Sequence, residues 1–121
     1  MAAITEGRHS GEFLVSEGNG SISRETVTIL SGQNLEAGAV LGMVTASSKY
    51  QAVDPAGIDG SETAVAVLYE NVDASAGDAT GVVISRLAEV NENRLVFDAV
   101  VTEPEKAAAI SQLADQLIIA R

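Results

Sequence analysis

The sequence predicts a mainly β domain with one C-terminal helix. Three observations carry this reading. Short segments rich in β-branched residues recur along the chain, turn signals with Gly, Asn, Asp or Pro separate them, and a single helical pattern with its own start signal stands near the end. At 121 residues the chain has the length of one domain that can bury a core. Hydrophobic residues make up 46%, too many for an intrinsically disordered chain. They are mostly Ala, Val, Leu and Ile, against two Phe, two Tyr and no Trp. Large rings carry much of the packing energy in ordinary cores, so an aliphatic domain gains from burying more apolar surface against copies of itself.

Residues 1–23 read as a flexible N-terminal arm. Gly7, Gly11, Gly18 and Gly20 raise the entropy cost of ordering it. One compact apolar string, Phe13-Leu14-Val15, lies between Glu12 and Ser16. If it pairs as a strand, Phe13 and Val15 face one way and Leu14 the other. The string is expected to pair with a partner chain; the competing reading packs it back on its own domain.

Residues 24–121 read as the folded domain. Arg24 to Leu30 alternates with β-branched residues and predicts the first strand. Ser31-Gly32-Gln33-Asn34 turns the chain, and Leu35 to Gly38 bends it again. Ala39 to Thr45 predicts a strand broken by Gly42, where a bulge or a close backbone approach fits. Lys49 to Val53 is a short strand ending in the Asp54–Glu62 loop. Thr63 to Glu70 is a strong strand, and Asn71 to Gly77 a polar loop. Thr80 to Arg86 is almost continuously apolar, which predicts burial on both faces, and Ala88-Glu89-Val90 reads as its continuation. Asn91-Glu92-Asn93 closes a turn before Arg94 to Phe97. Thr102 and Glu105 have capping-box spacing, with Glu103 and Pro104 suited to a first helical turn. Ile110, Leu113, Ala114 and Leu117 share one helical face, a core stripe whose alternative use is a subunit contact through Ile110, Leu113 and Leu117. Leu117 to Ala120 can finish as a short strand.

Several function classes are disfavoured. No cysteine is present, and with one histidine the chain cannot assemble a zinc site of N and S ligands. No stretch approaches the roughly 18 apolar residues of a membrane span. No basic region precedes an apolar core of about 7–15 residues, so a soluble chain made in the cytoplasm is expected. Seventeen acidic against seven basic residues give a net charge of −10. Nucleic-acid binding needs clustered Lys and Arg, so no nucleic-acid partner is expected. His9 sits in the arm, where nothing orients it as a base for a nucleophile. Asp54, Asp59 and Glu62 lack the alternating oxygen ligands of a calcium loop and read as turn residues, as do Asp73 and Asp78. Gly38 to Gly42 is followed by no Lys-Ser/Thr and is no phosphate loop. No catalytic residue and no cofactor or metal site is therefore expected.

The ordered strings Ser23–Thr28, Leu35–Gly42, Tyr50–Gly60, Thr63–Leu68, Asn71–Asp78 and Val82–Val90 resemble those of the lambda-type head decoration (capsid cement) proteins of tailed bacteriophages. The resemblance covers nearly everything from Phe13 to the C-terminal helix, and its specificity lies in the ordered set. It implies a β-clip-like fold and a homotrimer made in the host cytoplasm. It further implies docking on the outer surface of the expanded head at three-fold positions, with the major capsid protein as partner. The trimer would stabilise the head against internal DNA pressure, and the arm, centred on Glu12, Phe13, Leu14, Val15 and Ser16, would bind the capsid. Strand addition suits such a role, because main-chain hydrogen bonds supply affinity and several linked arms multiply it. A different class, a β-clip binding module that recognises carbohydrate on a larger assembly, is the alternative. Scarce aromatic residues count against it.

Overall fold

Arg24 to Leu30, the clearest strand signal, forms β2 (Arg24–Ile29) in a computed structural model that describes residues 9–121. Strand β2 runs antiparallel to β8 (Ala79–Ile84) in unbroken register from Arg24↔Ile84 to Ile29↔Ala79. Around them β4 (Val40–Val44), β5 (Lys49–Ala52) and β6 (Ala64–Leu68) complete a closed barrel in the order β2-β5-β4-β6-β8. Closure leaves these strands without a free edge. A two-stranded pair, β3 (Asn34–Leu35) with β7 (Val72–Asp73), joins loops that the sequence pattern leaves unpaired. The mainly β expectation with one late helix holds.

Alternation along the strands divides the interior in two. Leu41, Ala66, Leu68 and Val83 join Ile29 in one buried cluster. Their neighbours Val40, Val67 and Ile84 point the opposite way, into a second cluster with Phe13, Val90, Leu113 and Ile118. This second layer explains why the barrel strands read as nearly continuous apolar runs: a helix and a small sheet cover their other face.

Gly42 performs the expected break. The β4–β6 register slips between Leu41 and Gly42, and a Cβ at residue 42 would overlap the carbonyl of Ser61. The capping box forms as its spacing predicts. Thr102 Oγ1 accepts from the Glu105 amide at 3.4 Å, and the Thr102 amide donates to Glu105 Oε1 at 2.9 Å. Helix α1 spans Glu103–Asp115.

Three expectations need correction. Ala88-Glu89-Val90 does not continue β8; Leu87 takes a left-handed backbone, φ 51°, and redirects the chain into a separate strand β9 (Ala88–Val90). The turn expected at Asn91 to Asn93 is a 3-10 turn at Glu92–Arg94, leading into a segment with one isolated bridge, Ala39↔Val96. Leu117 is off the helix: with φ 63° it turns the chain into β10 (Ile118–Ala120), parallel to β9. Finally, the folded domain begins well before Arg24. Leu14–Glu17 form β1, antiparallel to β9, and Phe13 is fully buried. Of the expected arm, residues 1–8 lie outside the described residues, whereas Gly11 to Gly18 and Ser23 are fastened to the domain and residues 19–22 form an exposed connection.

Candidate functional site

The N-terminal segment is fastened at successive points. Gly11, at φ +71°, donates its amide to the Tyr69 carbonyl at 2.8 Å, and a Cβ there would stand 2.8 Å from the Tyr69 ring. Two residues on, the Phe13 ring fills the cluster beside Val90, Leu113 and Ile118, and its carbonyl accepts from the Asn91 amide at 2.7 Å. The register then slips between Leu14 and Ser16, and this bulge leaves Val15 turned outward, 58% exposed. Glu17 accepts from Arg24 through both carboxylate oxygens, at 3.1 and 2.7 Å. That bond holds the Glu17 carboxyl below its ordinary value and lifts the guanidinium above its own. The same guanidinium stacks 4.2 Å above the Tyr69 ring.

Strands β1, β9 and β10 form a three-stranded sheet in the order β1-β9-β10. Leu14, Val90 and Ala120 in one row and Ala88 and Ile118 in another face the core, while Glu17, opposite Ala88, pairs with Arg24. The row between them, Ser16-Glu89-Ile119, faces out. Glu89 accepts from the Ser16 hydroxyl at 3.1 Å and from Arg121 Nε, and these bonds lower its carboxyl, Arg121 contributing most. Leu87 and Leu117, each one residue before the paired strands, are 42% and 58% exposed, and the Ala88 amide donates to the Leu117 carbonyl at 3.1 Å. Gly18 bonds the Leu87 carbonyl there, and Ile22 lies over Gly18.

These positions gather most of the large apolar side chains left open among the described residues. Seven such side chains are exposed: Val15, Ile22, Ile58, Leu87, Val100, Leu117 and Ile119. Only Ile58 and Val100 lie away from this sheet and its end, so the outer sheet face is where the domain concentrates unburied apolar surface. Leu87 and Leu117 also share a backbone conformation costing a non-glycine residue about 1–2 kcal/mol.

The sequence-derived residues distribute unevenly over this face. Glu12, Val15 and Ser16 are exposed, Leu14 is half-buried against the core, and Phe13 is wholly internal, so the string is a strand of its own domain. Ile110, Leu113 and Leu117 do not make one surface. Leu113 is buried with Ala109 on the helix's core side, Ile110 is half-buried, and Leu117 belongs to the outer sheet face. Sequence reasoning missed Leu87, Ile119 and Ile22. Ile119 is placed by cross-strand register, and Leu87 and Ile22 by the turns beside that sheet, which no local pattern reveals.

The remaining candidates are turn chemistry. Asp59 Oδ1 accepts from the Ser61 amide and hydroxyl at 3.1 and 2.5 Å, and Asp73 Oδ1 does the same with Ser75 at 3.0 and 2.5 Å. The hydroxyl bond leads in lowering each carboxyl. Asp54 caps the Ala56 amide, Glu62 accepts from Gly60, and Asp78 bridges the Ser31 amide and Lys49. His9, exposed, closes a turn by accepting from the Glu12 amide through its carbonyl. Among the described residues no cluster of three or more His, Cys, Asp or Glu could hold a metal, and no helix is long and apolar enough to cross a membrane.

The family model described as bacteriophage lambda head decoration protein D matches residues 3–118. A search of curated protein sequences gave no match.

Proposed function

The chain belongs to the family of bacteriophage lambda head decoration protein D, structural proteins of the phage capsid exterior, and from that premise we propose how it docks. It assembles as a homotrimer on the outer surface of the expanded head at three-fold positions. There it bridges subunits of the major capsid protein and stabilises the shell against internal DNA pressure. Docking uses the outer face of the β1-β9-β10 sheet together with the residues preceding Gly11. The family match over residues 3–118 carries the role. The clustering of Val15, Leu87, Leu117 and Ile119 supports the face, because exposed apolar surface of this kind marks protein contacts. Three faces presented together would bind far more tightly than one, which suits a trimer on a three-fold site.

Leu117→Asn and Val15→Asp test the face. Asn tolerates the left-handed backbone of residue 117, and both side chains are more exposed than buried, so the monomer's fold should survive. The double variant should stay folded yet lose at least about tenfold in affinity for expanded capsids lacking the protein, the equivalent of ~1.4 kcal/mol. Deleting residues 1–8 tests the preceding segment in the same binding assay. Undiminished binding by the double variant would remove the sheet face from the docking surface. Undecorated capsids should rupture at lower temperature than decorated ones; equal rupture temperatures would refute cementing.

A further inference from the structure

Between β1 and β2 the chain carries its one Asn-Gly dipeptide, Asn19-Gly20. We propose that Asn19 is a site of spontaneous deamidation, converting with time to aspartyl and isoaspartyl forms. The connection is pinned at both ends and open between them. The Gly18 amide donates to Ser23 Oγ at 2.8 Å, that hydroxyl donates to the Leu87 carbonyl at 2.9 Å, and the Arg24 amide donates to the Ser21 carbonyl at 3.1 Å. Residues 19–22 are exposed. Gly20 sits at φ +66° with no atom within 4 Å of where a Cβ would stand. Residue 20 therefore carries no side chain beside the attacking nitrogen, and nothing outside its own chain neighbours crowds the position a side chain would fill.

The chemistry needs only water. The Gly20 main-chain nitrogen loses its proton to solvent and attacks Asn19 Cγ. A nitrogen–Cγ bond forms, the Cγ–Nδ2 bond breaks, and ammonia leaves with a proton, giving a five-membered imide. Water then opens the ring. Attack at Cγ restores the ordinary backbone with an aspartate; attack at the main-chain carbonyl routes the backbone through the side chain. Either product adds a negative charge to a chain already at −10 and places it in the exposed β1–β2 connection, next in sequence to Gly18, over which Ile22 lies.

The chain contains its own comparison. Asp59-Gly60 is the one Asp-Gly dipeptide, and the same ring closure would isomerise it. There the Gly60 amide is donated to Glu62 Oε2 at 2.8 Å, and Asp59 Oδ1 is held by the Ser61 amide and hydroxyl. Both partners of the ring closure are occupied, so this site should stay intact in the folded protein.

Incubation of the full folded chain at mildly alkaline pH, followed by peptide mass spectrometry and labelling with an isoaspartyl methyltransferase, tests the assignment. Asn19 should lose its amide at least about tenfold faster than Asn34, Asn71, Asn91 or Asn93, because only Asn19 precedes a glycine. The rate should rise with pH, fall about tenfold in Gly20→Ala, where a methyl group now crowds the nitrogen, and leave no label at this position in Asn19→Gln. Two results would overturn the proposal: an intact Asn19 in folded protein whose urea-unfolded form deamidates there, or isoaspartyl label that maps to Asp59 instead.

Discussion

Phe13→Ala distinguishes a core strand from a free arm more sharply than any other single change. Phe13 has no exposed surface and lies in the cluster that joins β9, β10 and α1 to the barrel. Truncating a buried phenylalanine costs about 3–5 kcal/mol, through lost transfer energy and the cavity left behind. A chain of 121 residues has a total stability of roughly 6–18 kcal/mol. Its unfolding entropy, about 2.1 cal/mol/K per residue, sums to ~0.25 kcal/mol/K, so Tm should fall by about 12–20 °C. Circular dichroism melts and urea titrations at matched protein concentration measure this, matched because association makes Tm concentration-dependent. The urea midpoint should drop while the slope stays near the wild-type value. Val15→Ala is the internal control: at 58% exposure it should change stability by no more than about 0.5 kcal/mol. A Phe13→Ala variant that melts within about 3 °C of wild type but no longer binds capsids would refute the core placement and restore the string to a free arm.

Three further perturbations follow from local geometry. Gly42→Ala places a methyl group on the Ser61 carbonyl, backbone that cannot move aside, and should cost at least about 2 kcal/mol in urea unfolding; a neutral effect would mean the β4 bulge can relax. Thr102→Ala removes one half of the capping box and should cost about 1 kcal/mol by the same measurement, whereas Thr102→Ser should cost much less. Glu17→Gln tests the ion pair with Arg24 through pH. The Glu17 carboxyl is held below its ordinary 4.5 in the folded chain, so its contribution is complete above that pH and is lost as pH falls through the lower folded value. The wild-type advantage in Tm should therefore be present at neutral pH and vanish in acid; an advantage independent of pH would assign the effect to packing.

The barrel strands, the Gly42 break, the capping box and the final strand were legible in the sequence because each depends on a local rule. β-branched runs favour a pleated surface, a missing Cβ permits a close approach, and a hydroxyl three residues before a carboxylate closes a helix start. The errors fall where long-range contact outranks local composition. Glycines at 11, 18 and 20 gave the N-terminal segment the look of an arm, yet each glycine serves a turn or close approach, and Phe13 reaches a cavity that only the helix and β10 complete. Leu117 fits the helical stripe of Ile110 and Leu113 by spacing. The α1–β10 turn takes it out of that stripe, because β10 must pair parallel with β9, and only a sharp reversal after Gln116 brings Ile118 opposite Ala88.

The outer sheet face was illegible for a related reason, since three segments far apart in the chain build it and none is amphipathic enough alone to announce it. Its strongest physical signature is the pair of left-handed leucines. Glycine or asparagine at positions 87 and 117 would make the same turns with less strain, and a monomer optimised for its own stability would gain from either. Leucine instead combines a backbone cost with apolar surface left in water. A partner covering the side chains would recover the apolar area and so offset the backbone cost, while the two turns keep Leu87 and Leu117 exposed. If the sheet docks as proposed, cover by a partner accounts for the two exposed, strained leucines in a way that no contact inside the domain does.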